Sequence, residues 1–158
     1  MTLKADASSP EAAKQKALSL LEKRDYSRCE LLQKLREKGF SDAHAEAALD
    51  RLCALGFVDD ARYAPLLVRR CAAKGYGPRR VRQELQRRGI PKELWDMAME
   101  QLPEQDDTID RLLRSRLLGA DPEDRAALKK ASDALLRRGF SWEEIKEAIE
   151  RYRVEDDD

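Results

Sequence analysis

Three stretches of this chain are one phrase written at a spacing of fifty residues. Residues 30–52 read ELLQKLREKGFSDAHAEAALDRL, residues 80–102 read RVRQELQRRGIPKELWDMAMEQL, and residues 130–152 read KASDALLRRGFSWEEIKEAIERY. Leu35, Leu85 and Leu135 coincide, as do Gly39, Gly89 and Gly139, then Phe40, Ile90 and Phe140, and Ala48, Ala98 and Ala148. Each copy reads as a helix stopped by Gly, a hydrophobic plug and a second helix. Glycine suits the stop because the residue after a helix often turns left-handed, which a side chain resists. Ser41 and Ser141 read as N-caps, Pro91 as a first helical residue, and Ser141 with Glu144 as a capping box.

A further helix precedes each pair. In the first copy Ser9-Pro10 opens it, with Ala13, Ala17, Leu20 and Leu21 as its apolar stripe, and Ser27 with Glu30 opens the next helix. The third helix runs from about Asp42 to Leu55 and stops at Gly56. In the second copy Asp59 or Asp60 caps a helix bearing Tyr63, Ala64, Leu67, Val68 and Cys71, and KGYGP breaks the chain at 74–78 before Pro103 closes the unit. In the third copy a helix over about Thr108 to Leu118 stops at Gly119, and Asp121-Pro122 starts a longer one. The expected fold is all-α: three tandem three-helix repeats of about 50 residues in an elongated, curved array. The boundaries are 11–58, 59–106 and 107–154, after a tail at 1–10 and before an acidic tail at 155–158. Matching leucines, alanines and glycines belong to core and caps, so they explain the fold and not the function.

Composition narrows the function. Hydrophobic residues at 42% supply a core, and 39% charged residues keep the helices in water. The 31 basic and 31 acidic residues cancel, which argues against binding nucleic acid with the whole surface. Cys29, Cys53 and Cys71 form no CxxC pair and His44 is the one histidine, so no zinc site is expected; scattered thiols suit a reducing, cytoplasmic setting. No apolar run approaches the roughly 20 residues of a membrane span. No Gly-rich phosphate loop, nucleophile elbow or metal cluster is present, so neither catalysis nor a cofactor is expected. His44 reads as a surface residue and the acidic tail as a solubilising end.

Function should lie where the copies diverge. Between Ala61 and Lys92 stand ten basic residues and one acidic residue, Glu84, while Glu93–Asp110 holds seven acidic residues and no basic one. In the helix from Pro78 to Arg88, Val81 and Leu85 face the core. A turn of about 100° per residue then sends Arg79 and Arg87 outward, Arg80 nearby, with Arg82 and Arg88 on the flanks. In the preceding helix Arg62 and Arg69 face out, and Arg70 and Lys74 lie on one flank. The third copy keeps Lys129, Lys130, Arg137 and Arg138 at the positions of Arg79, Arg80, Arg87 and Arg88; the first has Cys29, Glu30, Glu37 and Lys38. Arginine recognises carboxylate or phosphate through paired hydrogen bonds, so this surface should meet an anion, either a nucleic-acid backbone or an acidic protein groove.

The runs DYSRCELLQKLREKGF (25–40), GFVDDARYA (56–64) and KGYGPRRVRQELQRRGI (74–90) resemble the RecX family, and the similarity extends from about Glu11 to Arg153. The resemblance implies a monomeric, non-catalytic regulator of the RecA recombinase. Such proteins lie in the groove of the RecA filament on single-stranded DNA and limit ATP hydrolysis, strand exchange and co-protease activity. It also implies weaker binding to single- or double-stranded DNA. Family positions present here are Asp59, Asp60, Arg62, Tyr63, Ala64, Gly75, Gly77, Leu85, Gly89 and Ile90. Among them Asp60, Gly77 and Gly89 are expected as caps, Tyr63, Leu85 and Ile90 as packing, and Arg62 as a contact. Pro65 departs from the family pattern and predicts a delayed start or a bend in its helix. Two other readings remain open: a stand-alone DNA-binding repeat protein, and a purely structural scaffold.

Overall fold

The computed structural model describes residues 9–157. Among them are nine α-helices, one 3-10 turn and no strand. The helices are α1 (Pro10–Leu21), α2 (Arg28–Glu37), α3 (Asp42–Ala54), α4 (Asp60–Ala73), α5 (Pro78–Arg87), α6 (Trp95–Met99), α7 (Asp106–Leu117), α8 (Arg125–Arg137) and α9 (Trp142–Asp157). No described helix is long and apolar enough to cross a membrane.

Most starts and stops follow the expected chemistry. Ser9 accepts the Ala12 amide at 3.0 Å, and Ser41 accepts that of His44 at 3.2 Å. The capping boxes form at Ser27–Glu30 and Ser141–Glu144, each with reciprocal bonds of 3.0–3.1 Å. The three phrase glycines are left-handed, with φ of 93°, 71° and 100° at Gly39, Gly89 and Gly139.

Four elements depart from expectation. Pro91 does not open an α-helix: it precedes the 3-10 turn Lys92–Leu94, and α6 is only five residues long. Where Ser41 and Ser141 offer a hydroxyl to the first turn, Pro91 offers none, and the turn tightens to an i+3 bond from the Leu94 amide to the Pro91 carbonyl (3.0 Å). In the third repeat Asp121 spends its carboxylate on the Glu123 amide (2.9 Å), so α8 starts later, capped by Asp124. Pro65 delays nothing. Asp59 caps α4 through the Arg62 amide (3.2 Å), the helix runs from Asp60, and the carbonyl that Pro65 leaves without a donor belongs to solvent-exposed Ala61. His44 is half-buried, with Nδ1 shielded and without a hydrogen-bond partner, rather than a surface residue.

The described chain packs as two compact units, and neither coincides with a repeat. One comprises the described residues through Leu66 together with Leu85–Ala98; the other comprises Leu67–Glu84 and the residues from Met99 onward. The first centres on Ala13, Ala17, Leu31, Leu35, Leu49 and Leu52, all with no solvent exposure. The second centres on Ile109, Leu113, Leu135, Phe140 and Ile145, at most 2% exposed. The middle repeat therefore divides its helices between two cores, as expected when one unit of a repeat array cannot bury its apolar face alone.

Candidate anionic-partner interface

In the second unit, helix ends meet head to tail. The C-terminus of α8 carries carbonyls that have no intrahelical donor, and α5 begins beside it. The Gly77 amide donates to Arg138 O at 2.7 Å and the Arg79 amide to Gly139 O at 3.1 Å. Arg79 Nη2 donates to Leu136 O, and Arg138 Nη1 returns a bond of 2.7 Å to Lys74 O. Gly77 caps α5, its carbonyl accepting the Val81 amide at 3.0 Å, and it also packs against the end of α8. A Cβ there would stand 2.6 Å from the Gly139 and Phe140 backbone, so glycine is required by close approach.

The first unit repeats the arrangement with other groups. Ser27, fifty residues before Gly77, donates its hydroxyl to Arg88 O. Arg88 Nη1 lies 3.1 Å from Glu30 Oε2, which Arg24 Nη2 also reaches at 2.8 Å. Burial alone would raise the Glu30 carboxyl, but the Ser27 amide and the two guanidinium groups outweigh it and hold it below its ordinary value. Asp60, by contrast, is no cap: Asp59 fills that role and Asp60 is the first residue of α4. Its Oδ1 accepts the Arg28 amide at 2.9 Å, and burial pushes its carboxyl up.

The basic side chains expected at the interface fall into groups. Arg69 binds Gln101 Oε1 through Nε (3.1 Å) and Nη2 (2.9 Å), and Arg62 Nη2 turns back to Gly56 O at 3.3 Å. Arg80 is half-buried over the Tyr76 ring, 4.9 Å from its centroid, and 3.5 Å from Glu84. Lys129 pairs with Asp133 at 3.2 Å. Arg70, Lys74 and Arg87 are exposed. Arg82, Lys130 and Arg137 are exposed and hold no hydrogen bond or ion pair within the described chain.

Four of these arginines bond to neutral oxygens. Arg62, Arg69, Arg79 and Arg138 donate to carbonyl or amide oxygens, which fix a guanidinium without cancelling its charge. Helix C-terminal carbonyls also attract cations, so the fold itself helps to position them.

Lys130 and Arg137 come together with a residue that the sequence reading did not single out. Arg116, from α7, joins them around a cavity of about 330 Å³, with Asp133 as the one acidic lining residue. Arg116 stands beside the inward Leu113 and Leu117 on its helix, so spacing placed it on a flank, and only the packing of α7 on α8 brings it to Lys130. This cavity suits a phosphate or carboxylate.

Comparison with known proteins agrees with this architecture. Family models described as the first, second and third three-helix domains of RecX match residues 13–52, 59–99 and 104–149. The chain is 41% identical over 143 residues to the regulatory protein RecX of Stenotrophomonas maltophilia (strain R551-3), covering 90% of this chain and 87% of that protein. It is 41% identical over 144 residues to the regulatory protein RecX of Xanthomonas campestris pv. campestris (strain B100), covering 90% and 88%. The crystal structure of RecX from Lactobacillus salivarius shares the fold, with a TM-score of 0.81 at 22% identity over 95% of this chain and 99% of that one. With its three repeats matched in order and two-fifths of the aligned residues identical to those relatives, the chain belongs to the RecX family of regulatory proteins.

Proposed function

We propose that this protein regulates the RecA recombinase without catalysis of its own, docking as a monomer in the groove of the RecA filament on single-stranded DNA in the cytoplasm. There it limits ATP hydrolysis, strand exchange and co-protease activity. Family membership supports the partner. The observation that carries the docking chemistry is the set of arginines held by neutral oxygens, which keeps positive charge on the second and third repeats. The candidate contacts are Arg62, Arg69, Arg70, Lys74, Arg79, Arg80, Arg82, Arg87, Arg88, Lys129, Lys130, Arg137 and Arg138.

The test is RecA-catalysed ATP hydrolysis on single-stranded DNA with increasing amounts of this protein. Reversing Arg79, Arg80 and Arg87 to Glu probes the intended surface, but Arg79 and Arg80 also hold structural contacts. Arg82→Glu, Lys130→Glu and Arg137→Glu together leave every described hydrogen bond in place. Exposed interfacial charges contribute about 0.5–1 kcal/mol each, so this triple variant should raise the half-inhibitory concentration about tenfold or more with helicity unchanged. Inhibition equal to that of the unaltered protein would locate the contact elsewhere.

A second reading, direct DNA binding, draws on the Arg116–Lys130–Arg137 cavity. Salt separates the two. Binding naked DNA through about six phosphates weakens by several powers of ten per decade of salt. Filament inhibition that persists where DNA binding has vanished favours the first reading.

A further inference from the structure

Between α8 and α9 the second unit opens into a groove of about 620 Å³. Leu128 and Leu136 of α8 and Ile149 of α9 line it, and Trp142, the first residue of α9, stands at its edge 55% exposed. The repeat shows that most of this apolar lining is particular to the third copy. Fifty residues earlier, the positions of Leu128, Leu136 and Trp142 hold Pro78, Gln86 and Lys92; a hundred earlier they hold Arg28, Arg36 and Asp42. Neither earlier copy has an aromatic side chain at the position of Trp142, and in the third that side chain is left facing water beside the edge of the core.

The rim is charged: Arg125, Lys129, Lys146 and Arg153 stand among Asp133 and Glu150. Lys129 is matched by Asp133 at 3.2 Å and Arg153 by Glu123 at 3.7 Å. Arg125 and Lys146 form no ion pair within the described chain.

We propose that this groove is a docking site for an acidic amphipathic helix of a partner protein. Apolar side chains of that helix pack beside Trp142 over Leu128, Leu136 and Ile149, and its carboxylates meet Arg125 and Lys146. An anchoring aromatic in an apolar trough with a polar rim is the usual anatomy of an interface. A helix is the occupant because two packed helices offer a groove between side-chain ridges and no strand edge to extend. The site differs from the basic surface of α5 and stands whether or not the recombinase is the partner.

The probe is a fluorescein-labelled peptide of about four helical turns, with Leu and Phe on one face and Glu and Asp on the other. Anisotropy should show saturable binding in the range of about 1–100 micromolar, and the Trp142 indole N–H should shift in a proton–nitrogen NMR titration. Trp142→Ala, and separately Arg125→Glu with Lys146→Glu, should each weaken binding about tenfold or more with circular dichroism unchanged; these side chains are exposed, so folding is preserved. Three results overturn the proposal. One is no saturable binding. Another is equal binding by a peptide of the same charge with its apolar residues scattered. The third is occupation of the groove by something else: a thymidine oligonucleotide that quenches Trp142 while the peptide leaves it unchanged, or a dimer of this chain that Trp142→Ala dissolves.

Discussion

The recurring glycine serves two physical demands, and a series of alanine substitutions separates them. At Gly39 the backbone is left-handed (φ 93°), but an added Cβ meets no described atom within 4 Å. Gly39→Ala should therefore cost only the conformational term, about 1–2 kcal/mol. Gly139 is left-handed too (φ 100°), and its Cβ would stand 2.4 Å from the Arg80 nitrogen and 2.5 Å from the Arg80 Cβ. Neither is the far end of a flexible side chain, so α5 must shift. Overpacking of this kind adds about 1–3 kcal/mol, for a total of about 2–5 kcal/mol. Gly77 isolates the second demand: its φ is not left-handed, yet its Cβ would lie 2.6 Å from three backbone atoms. Gly77→Ala should cost about 1–3 kcal/mol from packing alone. Gly89, left-handed at 71° and facing Cys29 Cβ at 2.3 Å, should behave like Gly139. Urea unfolding followed by circular dichroism, with ΔG taken from midpoint and slope, measures all four. A Gly39→Ala loss as large as that of Gly139→Ala, or a silent Gly77→Ala, would refute the division.

Three further predictions concern carboxylates in the first unit. Glu30→Lys should destabilise by about 2–3 kcal/mol, because it breaks the capping box and sets a third cation beside Arg24 and Arg88, whereas Glu37→Lys at the exposed opposite end of α2 should change urea stability by less than about 0.5 kcal/mol. Because the folded Glu30 carboxyl is depressed, its contribution is present above the ordinary value of 4.5 and lost as pH falls through the lower folded value; Glu30→Gln should flatten the acid limb of a stability–pH profile. Asp60 has the opposite sign. Its folded carboxyl is raised, so the charged form costs stability at neutral pH. Asp60→Asn, which keeps an oxygen for the Arg28 amide, should be as stable as the parent or more so at pH 7, with the advantage shrinking as pH falls toward the ordinary value of 3.8.

The sequence disclosed the helices where local chemistry decides them. Serine caps, glycine stops and the leucine stripe depend on neighbours three or four residues away, and they formed as expected at Ser27, Ser41, Gly89 and Ser141. It failed where a residue answers to a distant partner. Asp60 looks like a cap locally, yet its carboxylate answers the Arg28 amide; Gly77 does cap α5, but its lack of a side chain is set by the distant Gly139 backbone. The candidate site divides along the same line. Periodicity put the arginines on an outward face and its flanks, but it did not show that Arg138 is committed to Lys74 O while Arg137 is exposed and without a bond. Nor did it show Arg116, which reaches Lys130 only after α7 packs on α8.

The same offset explains why the charge contrast between repeats is also a structural contrast. Ser27 and Gly77 occupy one position in the phrase and both reach the C-terminus of a helix one repeat later, at Arg88 O and Arg138 O. At the first such junction the following arginine, Arg88, is answered by a carboxylate, Glu30. At the second, the position of Glu30 is taken by Arg80, and Arg138 is answered by a backbone carbonyl. Replacing an ion pair by a bond to a neutral oxygen keeps the geometry and leaves the net positive charge in place. Arg80 lies over the Tyr76 ring and beside Glu84, while Arg138 sits at the negative end of a helix, so groups other than a carboxylate across the junction hold them. The first junction shows a neutral alternative within the same fold, so the positive charge at the second is not a demand of the scaffold.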